Sequence, residues 1–94
     1  MSIKYMKLIS SEEIVAEVRE ESADTYTLAN PVSVMFSNDQ LAFARWAPLQ
    51  DQSIDYVVIN KSIVAFCTEP AEPIVEQYGT MFSTIVAPTK KLIL

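Results

Sequence analysis

The sequence predicts a mainly β domain: a small barrel of five consecutive antiparallel strands followed by one C-terminal amphipathic helix. Three observations lead there. Short segments rich in β-branched and aromatic residues recur between Glu13 and Cys67, with polar turns between them. The first of these segments alternates with period two. One stripe at helical spacing follows, after Pro73.

Glu13-Ile14-Val15-Ala16-Glu17-Val18-Arg19-Glu20 places Ile14, Ala16 and Val18 on one face and Glu13, Glu17 and Arg19 on the other, which predicts a half-buried strand. A helix is the rival, because Ser10 with Glu13 fits a capping box. Glu21-Ser22-Ala23-Asp24 reads as a turn, and Thr25 to Asn30 as a second strand. Asn30-Pro31 interrupts that strand before Val32 to Phe36 resumes it. A proline there removes a ladder donor, so an edge, a bulge or a bend is expected. Ser37-Asn38-Asp39-Gln40 is a polar turn, and Leu41 to Ala47 is a third strand with Leu41, Phe43 and Arg45 facing one way.

Pro48 ends that strand, and Gln50 to Asp55 is a polar loop. Tyr56-Val57-Val58-Ile59 is the fourth strand, Asn60-Lys61-Ser62 a tight turn, and Ile63 to Cys67 the fifth strand. Strands four and five are apolar almost throughout, which implies burial on both faces. A helix or a second subunit must then cover the side that a single small sheet leaves open.

Pro70 and Pro73 bracket a break. Ile74, Tyr78, Met81, Phe82 and Ile85 then lie on one helical stripe, with Pro73 and Glu72 suited to the first turn. Gly79 weakens the helix slightly. The chain thus divides into a barrel over residues 8–68, a helix over 72–84 and a tail over 86–94, all within one domain spanning residues 1–94.

Composition narrows the function. Seven basic and twelve acidic residues among 94 give a net charge of −5, which argues against broad binding to nucleic acid or an anionic membrane. The absence of histidine removes histidine bases, Cys–His nucleophiles and most zinc sites. One cysteine allows no internal disulfide and suits a reducing compartment. Met1 to Ile9 alternates loosely without the apolar core of a signal peptide, and no apolar run is long enough to span a bilayer, so a cytoplasmic protein without a membrane partner is expected.

Few residues suggest chemistry. Cys67, in an apolar strand, reads as a core residue. Glu12, Glu13, Glu17, Glu20 and Glu21 read as a solvated acidic face. Asp51 and Asp55 lack the ligand density of a calcium loop, and the lone Gly79 excludes a phosphate-binding glycine loop. No catalytic, metal or cofactor site emerges, and a non-enzymatic protein is expected. Tyr26, Phe43, Trp46 and Phe66 could stack bases, but core packing is the better reading of each, least firmly for Tyr26, which sits just after a turn. Lys61 is the one basic residue in a turn between two strands.

Val57-Val58-Ile59-Asn60-Lys61-Ser62-Ile63-Val64-Ala65-Phe66 resembles the second Sm motif, a basic turn between two hydrophobic strands. Glu13 to Val18 followed by Asp24-Thr25-Tyr26-Thr27-Leu28 looks like a degenerate first Sm motif, with Ala16 where that motif has glycine. Leu28-Ala29-Asn30-Pro31-Val32, Phe43 to Pro48, and Glu69-Pro70-Ala71 running into Tyr78 and Phe82 are similar to small Sm-like proteins found among tailed phages and marine viral sequences. The resemblance spans roughly residues 8–83.

It implies a strongly bent five-stranded Sm-like barrel, in a bacterial host's cytoplasm if viral. It also implies a homo-oligomeric ring of about five to seven subunits, in which strand four of one copy pairs with strand five of the next. By position it implies a site for single-stranded RNA with Tyr26 as the stacking aromatic, Thr27 where the family has asparagine, and Asn60 with Lys61 as the basic turn. The competing expectation is a structural ring that binds an unknown protein partner and has lost RNA binding.

Overall fold

A computed structural model describes residues 2–83. It consists of six antiparallel strands and a C-terminal helix: β1 (Ser2–Leu8), β2 (Glu13–Glu21), β3 (Thr25–Ser37), β4 (Gln40–Arg45), β5 (Tyr56–Asn60), a 3-10 turn (Lys61–Ile63), β6 (Val64–Thr68) and α1 (Glu72–Ser83). The strand order is β4-β3-β2-β1-β6, and β5 pairs with the first half of β3 while β4 pairs with its second half. No pairing joins β5 to β6, so the sheet does not close into a barrel among the described residues. The mainly β class with one C-terminal helix agrees with the sequence expectation. The strand count is six rather than five, because β1 is a full member of the sheet, between β2 and β6.

The segment from Glu13 is a strand, not the rival helix. Both of its faces are covered, which explains why Ile14, Val15 and Ala16 are buried in succession. On one face Ile14 and Ala16 join Met6, Leu8, Leu28 and Ile59 in a core. On the other Val15 and Val32 pack against Tyr78, with Ile3, Tyr5, Val34, Phe43, Ile74 and Phe82 around them. The helix therefore lies over β1 to β4. It does not provide the cover that strands four and five, now β5 and β6, were expected to need.

Turn chemistry explains where the chain reverses. Asn38 and Asp39 both have positive φ, 52° and 61°, and connect the paired Ser37 and Gln40. Asn and Asp tolerate that region, and two such residues in succession match the twist of a tight hairpin. Ser11, at φ 80°, closes the β1–β2 turn, where its N–H donates to the Leu8 carbonyl. The Asn30-Pro31 interruption does not split β3. Asn30 takes φ 49°, and the β2–β3 register shifts between Val15 and Glu17, opposite this point.

The α1 stripe presents Ile74, Tyr78 and Phe82 to the sheet, as the spacing predicts, and the helix runs through Gly79 without interruption. Met81, expected on the same stripe, is instead exposed. Ile85, the last turn of the expected helix and the 86–94 tail lie outside the described residues. No helix among the described residues is long and apolar enough to cross a membrane.

Candidate functional site

Strand pairing places the residues named by the Sm resemblance on neighbouring strands. β3 and β5 run antiparallel with Thr25 opposite Asn60, Tyr26 opposite Ile59 and Thr27 opposite Val58. Lys61 follows at the start of the 3-10 turn, its backbone N–H donating to the Asp24 carbonyl at 2.8 Å. Its ammonium lies 5.0 Å from the centre of the Tyr26 ring, a cation–π contact. Tyr26 and Lys61 thus meet where β3 begins and β5 ends, with Tyr26 and its partner Ile59 on the core side. Asn60, opposite Thr25, and Thr27, opposite the exposed Val58, are near in the backbone, but strand alternation puts them on the other face from Tyr26, so the structure does not bring all four together.

The site has its own counter-ion. The Lys61 Nζ donates to Glu21 Oε2 at 2.6 Å, and this hydrogen bond, ahead of the attraction of Tyr26 and Asp24, raises the lysine pKa above its ordinary value. Burial raises the Tyr26 phenol, with smaller contributions from Cys67 and Glu21. Cys67 packs against the core that Tyr26 also borders, and burial pushes its thiol up, which suits an inert cysteine rather than a nucleophile. A base reaching Tyr26 would have to slide under or displace Lys61, and a phosphate reaching Lys61 would compete with Glu21.

The other candidates settle into structural contacts. Asp51 accepts from the Ser53 N–H and hydroxyl, at 2.9 and 2.8 Å, a local cap of its own loop. Asp55 accepts two bonds of 3.2 Å from Arg19, a bidentate pair joining the loop before β5 to β2. Phe43 packs beneath α1 and Trp46 against the inner core. Phe66 makes an edge-on contact with Tyr5, ring centres 5.5 Å apart.

Tyr78 is the residue whose polar role sequence reasoning missed. Its stripe position predicted a buried ring, but not that its hydroxyl would reach the carbonyls of Ala29 and Asn30, at 3.1 and 2.9 Å, where the β2–β3 register shifts. The phenol is pushed far above its usual range by burial. The signal available was the tyrosine itself, since a buried phenol needs a partner and an interrupted strand offers carbonyls.

These shifts fix the pH response. The hydrogen bonds to Ser53 and Arg19 hold Asp51 and Asp55 below their ordinary values, so the stability they add is present above about pH 4 and lost as pH falls through their lowered values. Tyr5, Tyr26 and Tyr78 are raised, chiefly by burial, so their neutral forms belong to the fold. That contribution is complete below about pH 10 and lost above it. With no histidine to titrate between, urea unfolding should give a plateau of stability from about pH 5 to pH 9 with losses on both sides. A sharp change between pH 6 and 8 would contradict these assignments.

Compared with known proteins, the chain matches no protein-family model and no curated protein sequence.

Proposed function

We propose that this chain is a non-enzymatic Sm-like protein that assembles head to tail into a ring of about five to seven copies, β5 of one copy pairing with β6 of the next. One observation carries the reading. Among the described residues β5 bonds only to β3, and β6 only to β1. Their outward side chains remain exposed: Val58 at 54%, Tyr56 at 43% and Phe66 at 42%. Unpaired apolar edges invite aggregation unless another chain satisfies them, and head-to-tail pairing of two different edges gives a ring when the rotation between copies closes. These two strands correspond to the pair that Sm proteins join between neighbours. In such a ring the open sheet described above serves as the Sm-like barrel of the resemblance.

A second reading adds single-stranded RNA as ligand. The meeting of Tyr26 with Lys61 favours it, because an aromatic face beside a cation is how such sites hold an unpaired base and its phosphate. The Lys61–Glu21 pair and the net charge of −5 favour instead a ring that binds a protein partner. Binding of a mixed-sequence single-stranded RNA, followed across salt concentrations, separates the two. If RNA occupies the site, Lys61→Ala weakens binding and lowers the salt slope by about one, while Glu21→Gln strengthens it by freeing the lysine. Affinity unchanged in both variants leaves the protein-binding ring.

A further inference from the structure

We propose that the free edge of β4 takes up an extended peptide from a partner protein as an added strand, one whose sequence reads acidic-x-apolar-x-apolar. β4 ends the sheet, because it pairs with β3 alone. Backbone hydrogen bonds in an antiparallel ladder alternate along each strand. The Trp46 N–H donates to the Pro31 carbonyl at 3.1 Å, in line with the β3–β4 register. By that alternation Ala44, Ala42 and Gln40 also turn their backbone groups to β3, while Leu41, Phe43 and Arg45 turn theirs to the open side. The usual guards of an edge are missing. Gln40-Leu41-Ala42-Phe43-Ala44-Arg45 holds no proline or lysine, and its register with β3 runs without a shift.

Side chains beside that edge define what the added strand carries. Leu41, Phe43 and Arg45 share one face of β4. Phe43 packs in the layer beneath α1, and Leu41 lines an apolar trough of about 270 Å³ with Tyr5, Val15, Val34, Phe36 and Ile74. Phe36, the cross-strand partner of Leu41, is 72% exposed. Apolar residues two apart on an added strand sit beside Leu41 and Phe43 and remove this surface from water. The next residue on the same face meets Arg45. Lys4, Lys7, Arg19 and Lys61 already face carboxylates, whereas Arg45 is exposed and has no ion pair among the described residues. Arg45 shares a small hollow with Asp55, but both Asp55 oxygens hold Arg19. A partner carboxylate completes the charge pattern, and a partner cation is repelled. Antiparallel addition continues the sheet and sets the order from the peptide N-terminus, with the acidic residue first. The site goes beyond the proposed ring, because β4 is not one of the strands joined there.

A library of random octapeptides displayed on phage, selected in parallel against the full chain, Arg45→Glu and Val58→Lys, tests the proposal. The unaltered chain and Val58→Lys should enrich the same acidic-x-apolar-x-apolar pattern, so the outcome does not depend on whether the ring forms. Arg45→Glu, a change at an exposed position, should enrich lysine or arginine in place of the acidic residue. The leading peptide, synthesised and supplied at about ten times its dissociation constant, should slow amide exchange at Leu41 and Phe43 about tenfold. Methylating the backbone nitrogen of its first apolar residue removes a ladder donor and should weaken binding about tenfold. No enrichment over a protein-free control, the same pattern from Arg45→Glu, or protection outside β4 overturns the proposal. So does protection of Leu41 and Phe43 that grows with protein concentration in the absence of peptide, which assigns the edge to a second copy.

Discussion

Tyr78→Ala should lower the free energy of unfolding by about 3–5 kcal/mol, read as an earlier urea midpoint at unchanged slope. The ring is buried between helix and sheet, against Val15 and Val32, with Phe82 at 4.8 Å between ring centres. Its hydroxyl shares one proton between the Ala29 and Asn30 carbonyls. Truncation removes the packing and leaves those carbonyls short of a donor beside Asn30, where the β2–β3 register shifts. Tyr78→Phe separates the two effects. It keeps the ring and should cost only about 0.5–1.5 kcal/mol, the net worth of a typical hydrogen bond. A Tyr78→Ala cost below about 1 kcal/mol would mean that α1 is not anchored to the sheet through this residue.

The second large effect concerns assembly. If the proposed ring forms, Val58→Lys should convert it to single chains while changing the stability of the chain itself by no more than about 0.5 kcal/mol, as for an ordinary surface substitution. Val58 points away from the core on β5, beside the unpaired edge. Lysine on an edge strand is a common natural guard against pairing, because its hydrated ammonium resists burial in an interface. Leu49→Lys, in the exposed loop before β5, is the control and should leave the assembly intact. Sedimentation velocity distinguishes the two variants. A multimer that survives Val58→Lys would place the contact elsewhere.

Much of the fold was legible because its signals are local. Polar turns at Glu21–Asp24 and Ser37–Gln40, the apolar runs from Tyr56 to Cys67, and the stripe of Ile74, Tyr78 and Phe82 each depend on neighbours in sequence. Their elements appear where those signals place them. β1 was missed for a physical reason. Met6 and Leu8 face one core while Ile3 and Tyr5 face the layer beneath α1, so apolar residues occupy both sides and no clean alternation survives. Lys4 adds to the disguise: it takes a place on the inner face but reaches Glu69 through its long stem. The same double cover explains Val15, which alternation places on the solvent side.

The candidate site was legible in part, but not in its electrostatics. The pairing of β3 with β5 sets the two matched motifs side by side and brings Lys61 to Tyr26, but alternation turns Thr27 and Asn60 to the other face. That Glu21 would turn to Lys61 across 40 positions of sequence depends on where β2 ends relative to the 3-10 turn, and no local pattern encodes that. The bidentate Arg19–Asp55 pair is non-local in the same way.

Native mass spectrometry of the protein as purified from cells, before any nuclease step and beside Val58→Lys, tests the central proposal most directly. The account predicts a closed multimer of about five to seven chains for the unaltered protein and single chains for the variant. Nuclease-sensitive mass on the multimer would assign it RNA, and a bare multimer a protein-binding role. Single chains for the unaltered protein at micromolar concentration would contradict the ring, leaving β5 and β6 with open edges in solution.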